Sequence, residues 1–412
     1  MPTLPAHPLR PQILLLLRAA MVLFVYVVVI GILNGVDAVE FGPRTLLTHL
    51  HVGTLGWITV SVFAASLWLF GASAPAGWRR RLPRLLAPAA VVVLVGFNIA
   101  FATTDGYVRA VLGGLMALVI VGFLAWAVAQ ARDLTMSVPR WGLLAALATS
   151  VTGGVLGVLL ATLIASEGDI KTLPEGGSDA HPATMVVGFL IPAALALLEW
   201  WLRPADVERA ATRGGFIQML LLFVGGFTLM IGVLTDLTPL IVLNLPFSIA
   251  AIATFVARNR QSLRAARFGA AAGSPFQVAG SVAIVVNLGM LVYLISRYAD
   301  DFDAAPRHLI LALDHLMFIG VMTNAIFGFL LAATVAGRAV APWADRLVFW
   351  MVNIGMAGFW FGFVLDERLP KRLFTPVMGI GILLGVAVFF RRSLVDAPGG
   401  APVTGDLAAR PV

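Results

Sequence analysis

Runs of about twenty apolar residues recur twelve times along this chain, separated by short gaps rich in Gly, Pro and Arg. A bilayer's hydrocarbon core is roughly 30 Å thick, which a helix crosses in about 20 residues. The runs fall at about 13–33, 49–71, 85–103, 107–130, 140–166, 181–202, 215–235, 238–257, 275–297, 308–334, 345–365 and 373–391. Inside lipid every backbone N–H and C=O has to be satisfied within its own segment, so each run is expected to be a helix. The charged fraction agrees: 12% of the 412 residues are Asp, Glu, Lys or Arg, against about 25% in a soluble domain. The expectation is an all-α integral membrane protein with twelve transmembrane helices in one bundle, residues 1–395. A Gly/Pro/Ala-rich tail, 396–412, reads as disordered and cytoplasmic.

Charge sets the orientation. With the N-terminus, every even-numbered gap and the C-terminus on one side, that side holds 20 of the 28 basic residues and 7 of the 21 acids. Basic loops stay in the cytoplasm, so both termini are expected inside, in a cytoplasmic (inner) membrane of bacterial type. The net charge of +7 then reflects topology and implies no nucleic-acid partner. The first 20 residues do not read as a cleaved signal, because their apolar run continues to Leu33. With no cysteine in the chain, disulfides, thiolate metal sites, iron–sulfur clusters and covalently attached haem are excluded. No Gly-rich phosphate loop or Ser–His–Asp grouping is present.

Five of the six histidines lie at the outer ends of spans 2, 6 and 10: His49, His51, His181, His308 and His315. Imidazole is costly in hydrocarbon and is the commonest side chain for holding metals and haem. A glycine follows at fixed offsets, seven residues after His49 and His181 and five after His51 and His315, which reads as a degenerate repeat with a four-helix period and pseudo-threefold symmetry. Residues two apart on a helix point about 200° apart. His49 and His51 are therefore expected to face two different sites, one toward span 10 and one toward span 6. A bis-imidazole haem needs one ring from each of two facing helices. One span 2 histidine with His315 is the first choice, and His181 with the other could hold a second haem or a metal ion. His308 and His7 read as interfacial or hydrogen-bonded residues, and Met185 and Met317 as packing. Asp179 and Asp314 read either as acceptors fixing an imidazole tautomer or as solvated caps. Asn98, Gln218, Asn244, Asn287, Tyr293, Asn324 and Asn353 read as interhelical hydrogen bonders, and Glu199 as interfacial. Arg368, Lys371 and Arg372 form a basic cluster on the otherwise acidic outer side, suited to haem propionates or phospholipid.

Twelve helices with histidines at the outer ends of the second, sixth and tenth resemble the catalytic subunit of the haem–copper oxidase superfamily, which includes bacterial nitric oxide reductases. The resemblance implies that His49 or His51, with His315, ligates a low-spin haem, and that Lys371 and Arg372 hold its propionates. It also places a copper ligand at His181. The family's His-Pro-Glu-Val-Tyr-like motif reads His181-Pro182-Ala183-Thr184-Met185 here, and its adjacent histidine pair on helix 7 is missing from 215–235. The family's closely spaced helix 10 histidines stand seven apart, at His308 and His315. A conventional oxygen reductase is therefore not expected. The chain is also similar to the NnrS family of haem membrane proteins linked to nitric oxide metabolism, which begin a helix with His-x-His. Both resemblances imply one or two b-type haems, electron transfer or diatomic-gas (nitric oxide or oxygen) chemistry, and an electron donor such as a quinol or a periplasmic cytochrome. A homo-oligomer is left open. The alternative is a multi-pass transporter or metal-binding membrane protein using His49, His51, His181 and His315 without haem.

Overall fold

The computed structural model describes residues 4–73, 76–104, 106–166, 176–268 and 274–395; the expected tail at 396–412 lies outside them. Among the described residues, twelve helices are long and apolar enough to cross a membrane: α1 (Arg10–Gly35), α2 (Pro43–Phe70), α3 (Trp78–Thr103), α4 (Tyr107–Ala131), α5 (Val138–Ala165), α6 (Gly177–Leu202), α7 (Arg213–Leu234), α8 (Thr238–Ala265), α9 (Pro275–Tyr298), α10 (Arg307–Ala333), α11 (Ala344–Val364) and α12 (Arg368–Ser393). No strand occurs among them. Several helices overrun their apolar cores. α3 begins with Trp78 and three arginines, and α8 runs on through Arg258, Arg260 and Arg264. Charged turns continue a helix beyond the hydrocarbon, where their heads reach water.

Burial sorts the helices into two layers. The most apolar windows of α2, α6 and α10 are 83%, 83% and 78% buried, whereas those of the other nine lie between 28% and 50%. The three buried helices form the centre. The other nine surround them in chain order, α1, α3, α4, α5, α7, α8, α9, α11 and α12, and α12 packs back onto α1 to close the ring. Three sectors result. The α10–α2 sector is walled by α11, α12 and α1, the α2–α6 sector by α3, α4 and α5, and the α6–α10 sector by α7, α8 and α9.

The three central helices share a second property. Each widens into a π-helical stretch just after its histidines: Val52–Thr59 in α2, Thr184–Leu190 in α6 and Leu316–Thr323 in α10. Such stretches are uncommon and collect at functional sites. Gly56, Gly188 and Gly320 sit at the same place in them, at an interval of 132 residues. Thr59 and Thr323 donate to carbonyls five residues back, Thr54 and Phe318, each at 2.9 Å, in keeping with the wider turn. Trp57 Nε1 donates to Thr323 Oγ1 at 3.1 Å and ties α2 to α10 at this level. Gly188 and Gly226 let α6 and α7 approach so closely that a Cβ on Gly226 would lie 2.7 Å from the Gly188 Cα.

The end of the bundle where α1 begins and α12 finishes, the basic end, is pinned by buried charge. Arg140 donates to the carbonyls of Leu69, Thr135 and Val207. Arg392 pairs with Asp345 at 2.5 Å. Glu199, in the last turn of α6, is 3% exposed and forms a two-pronged pair with Arg258 at 2.7 and 3.0 Å, with Gln218 bonded to both. A charge this deep is tolerable only when paired and hydrogen-bonded. Trp68, Trp200, Trp201 and Phe329 pack where the three central helices converge, with Trp200 and Trp201 stacked at 4.6 Å. Tyr293 and Asn98 depart from their expected role as interhelical hydrogen bonders. Tyr293 is 49% exposed on the outer ring and makes no interhelical bond among the described residues, and Asn98 is buried with neither Nδ2 nor Oδ1 hydrogen-bonded among them.

Candidate functional site

At the opposite end of the bundle, the histidine end, the first turns of α2, α6 and α10 precede their π-stretches. His49 and His51 leave α2 on different faces. His49 has His315 of α10 as its electrostatic neighbour, while His51 has His181 of α6 and Arg109 of α4. The four rings thus gather as two pairs, His49 with His315 in the α10–α2 sector and His51 with His181 in the α2–α6 sector.

Nitrogen chemistry within the pairs is well defined. His315 Nδ1 donates to the Leu311 carbonyl, His51 Nδ1 to the Leu47 carbonyl and His181 Nδ1 to the Gly153 carbonyl of α5, each at 2.8 Å. A carbonyl only accepts, so Nδ1 carries the proton in each neutral ring and Nε2 keeps the lone pair. None of these Nε2 atoms makes a hydrogen bond among the described residues. Neither Asp314 nor Asp179 takes the Nδ1 proton, so the acceptor role considered for them falls to the backbone. His49 differs. Its Nδ1 is buried without a hydrogen-bond partner, and the Val27 backbone lies beside the ring. An unpaired buried ring nitrogen is costly and marks a place where a further partner would be welcome.

Aromatic rings and a cation complete each sector. His315 stacks on Phe363 (5.6 Å between centroids, 25° between planes) and meets Phe359 edge-on at 5.1 Å. Lys371 Nζ lies 5.1 Å from the centroid of the Phe363 ring and 3.3 Å from Asp366. In the neighbouring sector His51 stacks on Phe101 (4.1 Å, 28°) and tilts against Phe97 at 6.1 Å, with the Arg109 guanidinium 4.0 Å from the Phe101 ring. Glycines make room for the other two rings. A Cβ at Gly31 would stand 3.5 Å from His49 Cε1, and one at Gly157 only 2.8 Å from His181 Cε1. Met185 packs on Gly153 and is a filler, as its sequence context suggested.

The remaining sequence candidates separate cleanly. Arg372 bridges to Asp37 at 2.6 Å, joining α12 to the α1–α2 gap. His308 stands 4.0 Å from Asp366 and belongs to neither pair. His7 lies at the basic end. The sequence reading did not single out Phe97, Phe101, Phe359 and Phe363. Their signal was a Phe-x-x-x-Phe spacing in the helix after each central one, at 97/101, 223/227 and 359/363. No protein-family profile matches the chain, and no curated protein matches it in sequence.

Proposed function

We propose that the protein is a b-type haem-binding membrane protein whose haem would be held by His49 and His315 at the histidine end of the α10–α2 sector. The observation that carries this reading is the pairing itself: two imidazoles, from two different central helices, are neighbours in one sector at the same end of the bundle. The donor set fits. Two neutral rings suit an iron porphyrin, and among the described residues no group of three or more His, Asp or Glu gathers as a metal ion's cage would require. The unpartnered His49 Nδ1 and the small Gly31 beside the ring are further support.

A haem held by two imidazoles supplies a one-electron couple, and one with an open position also binds diatomic gases. The chain's own groups do the rest. The Leu311 carbonyl accepts from Nδ1–H and so orients the His315 ring and raises the basicity of Nε2. Phe359 and Phe363 wall the ring from water and lipid headgroups. Lys371, held over Phe363, and Arg372 offer positive charge to acidic substituents at the membrane surface. We assign the protein to electron transfer or diatomic-gas chemistry in a cytoplasmic membrane, fed by a quinol or a periplasmic cytochrome.

The optical spectrum of the purified protein tests this. Reduced-minus-oxidised α and Soret bands of haem b are expected, and both His49→Ala and His315→Ala should weaken them. A colourless protein after expression with ample haem would sink the reading in favour of a haem-free transporter.

A further inference from the structure

The α2–α6 sector repeats the construction of the α10–α2 sector one step around the pseudo-threefold. The π-stretch glycines give the register. His315 lies five residues before Gly320, and its partner His49 seven before Gly56. His51 lies five before Gly56, and its partner His181 seven before Gly188. Each pair therefore joins one ring from each register position, contributed by consecutive central helices. The third sector would need Ala183 and Leu313 in those places, and neither side chain can ligate.

The surroundings repeat as well. Each five-before histidine gives its Nδ1 proton to the carbonyl four residues back, Leu47 or Leu311. Each stacks on the second phenylalanine of a Phe-x-x-x-Phe pair, and that phenylalanine carries a cation from the start of the next helix. The chain of contacts His51–Phe101–Arg109 reappears as His315–Phe363–Lys371, at intervals of 264, 262 and 262 residues. In the third sector the Phe223–Phe227 pair remains, at 4.9 Å, with no histidine in either register position. Aromatic pairs thus belong to the fold, whereas histidine pairs occupy two sectors out of three. His181 adds a local adjustment, giving its proton to α5 across the Gly153–Gly157 face.

We propose that the α2–α6 sector is a second haem b site, where His51 and His181 would hold the haem and Arg109 would supply the cation beside it. This inference rests on the haem reading of the first site. The two sites would lie on opposite faces of α2, because His49 and His51 project about 200° apart.

Haem content per chain decides it, measured as pyridine haemochrome against protein by amino-acid analysis. Two haems are expected for the unmodified protein. His51→Ala and His181→Ala should each leave one, and so should His49→Ala and His315→Ala, with size-exclusion profiles in detergent unchanged. One haem per chain, kept in His181→Ala and lost in His315→Ala, overturns the second site and leaves the first intact. No haem at all overturns both. A metal ion lost on His181→Ala, with one haem retained, also overturns the proposal. If the α6 variants fail to fold, the stoichiometry of the unmodified chain still decides between one site and two.

Discussion

Single nitrogen atoms do much of the work in this protein. At the histidine end, three rings give Nδ1 to a backbone carbonyl and so present Nε2. At the basic end, His7 uses both nitrogens for structure. Its Nε2 donates to the Trp68 carbonyl and its Nδ1 accepts from the Leu9 N–H, each at 3.1 Å. Burial lowers its pKa from 6.5 to about 4, because a second proton would be poorly solvated and would displace the Leu9 N–H. The sign follows from linkage. With a folded pKa below the unfolded one, the unfolded chain binds the proton first as pH falls. His7 therefore contributes its full stabilisation above pH 6.5 and loses it progressively down to about pH 4. The unfolding temperature of the unmodified protein minus that of His7→Leu should be largest near pH 7.5 and shrink toward pH 4. A gap that does not vary with pH would remove His7 as the titrating group.

Elements are positioned here by what is missing from them. Gly226 faces the Gly188 Cα in the third sector, so Gly226→Ala must push α7 off α6. Overpacking of that kind costs about 1–3 kcal/mol, to be seen as a lowered thermal midpoint with the haem spectrum retained. Gly157→Ala is expected to act differently, since its Cβ would press on the His181 ring and leave the α10–α2 sector alone. Its measurable effect should be loss of the His51–His181 component of the spectrum with the His49–His315 component unchanged. The apolar runs made these helices legible, because length and hydropathy are local properties. The four histidines were legible for the same reason: a polar residue in an apolar run stands out, and the angle between His49 and His51 follows from helix geometry alone. The π-stretches were not, since an i to i−5 turn is selected by contacts such as Trp57 to Thr323 that join residues far apart in sequence. Phe363 was hidden because one phenylalanine among many apolar residues carries no mark until His315 is found on it. The ion pair of Glu199 was hidden because its partner Arg258 lies two helices further on.

The whole molecule is a closed ring of nine helices around three, with a charge bias between its ends. The bias predicts orientation in the cell, and the absence of cysteine makes the test clean. A cysteine replacing the exposed Glu40, at the histidine end, should react with a membrane-impermeant maleimide added to intact cells. One replacing Arg209, whose side chain is 75% exposed at the basic end, should react only after permeabilisation. The opposite pattern would invert the assigned topology. Closure has a further consequence. α12 lies against α1, and Arg18 of α1 donates to the Ser393 carbonyl at 2.5 Å, so the first and last helices are neighbours at the basic end. The four-helix period brings the chain back to that same end after α4. A protein whose old ends are linked and whose new ends are cut between Arg132 and Val138 would place each helix where it now stands. The order in which the helices are made would change while the order in which they touch would not, and retention of the haem spectrum by such a protein would show that no helix has to come first.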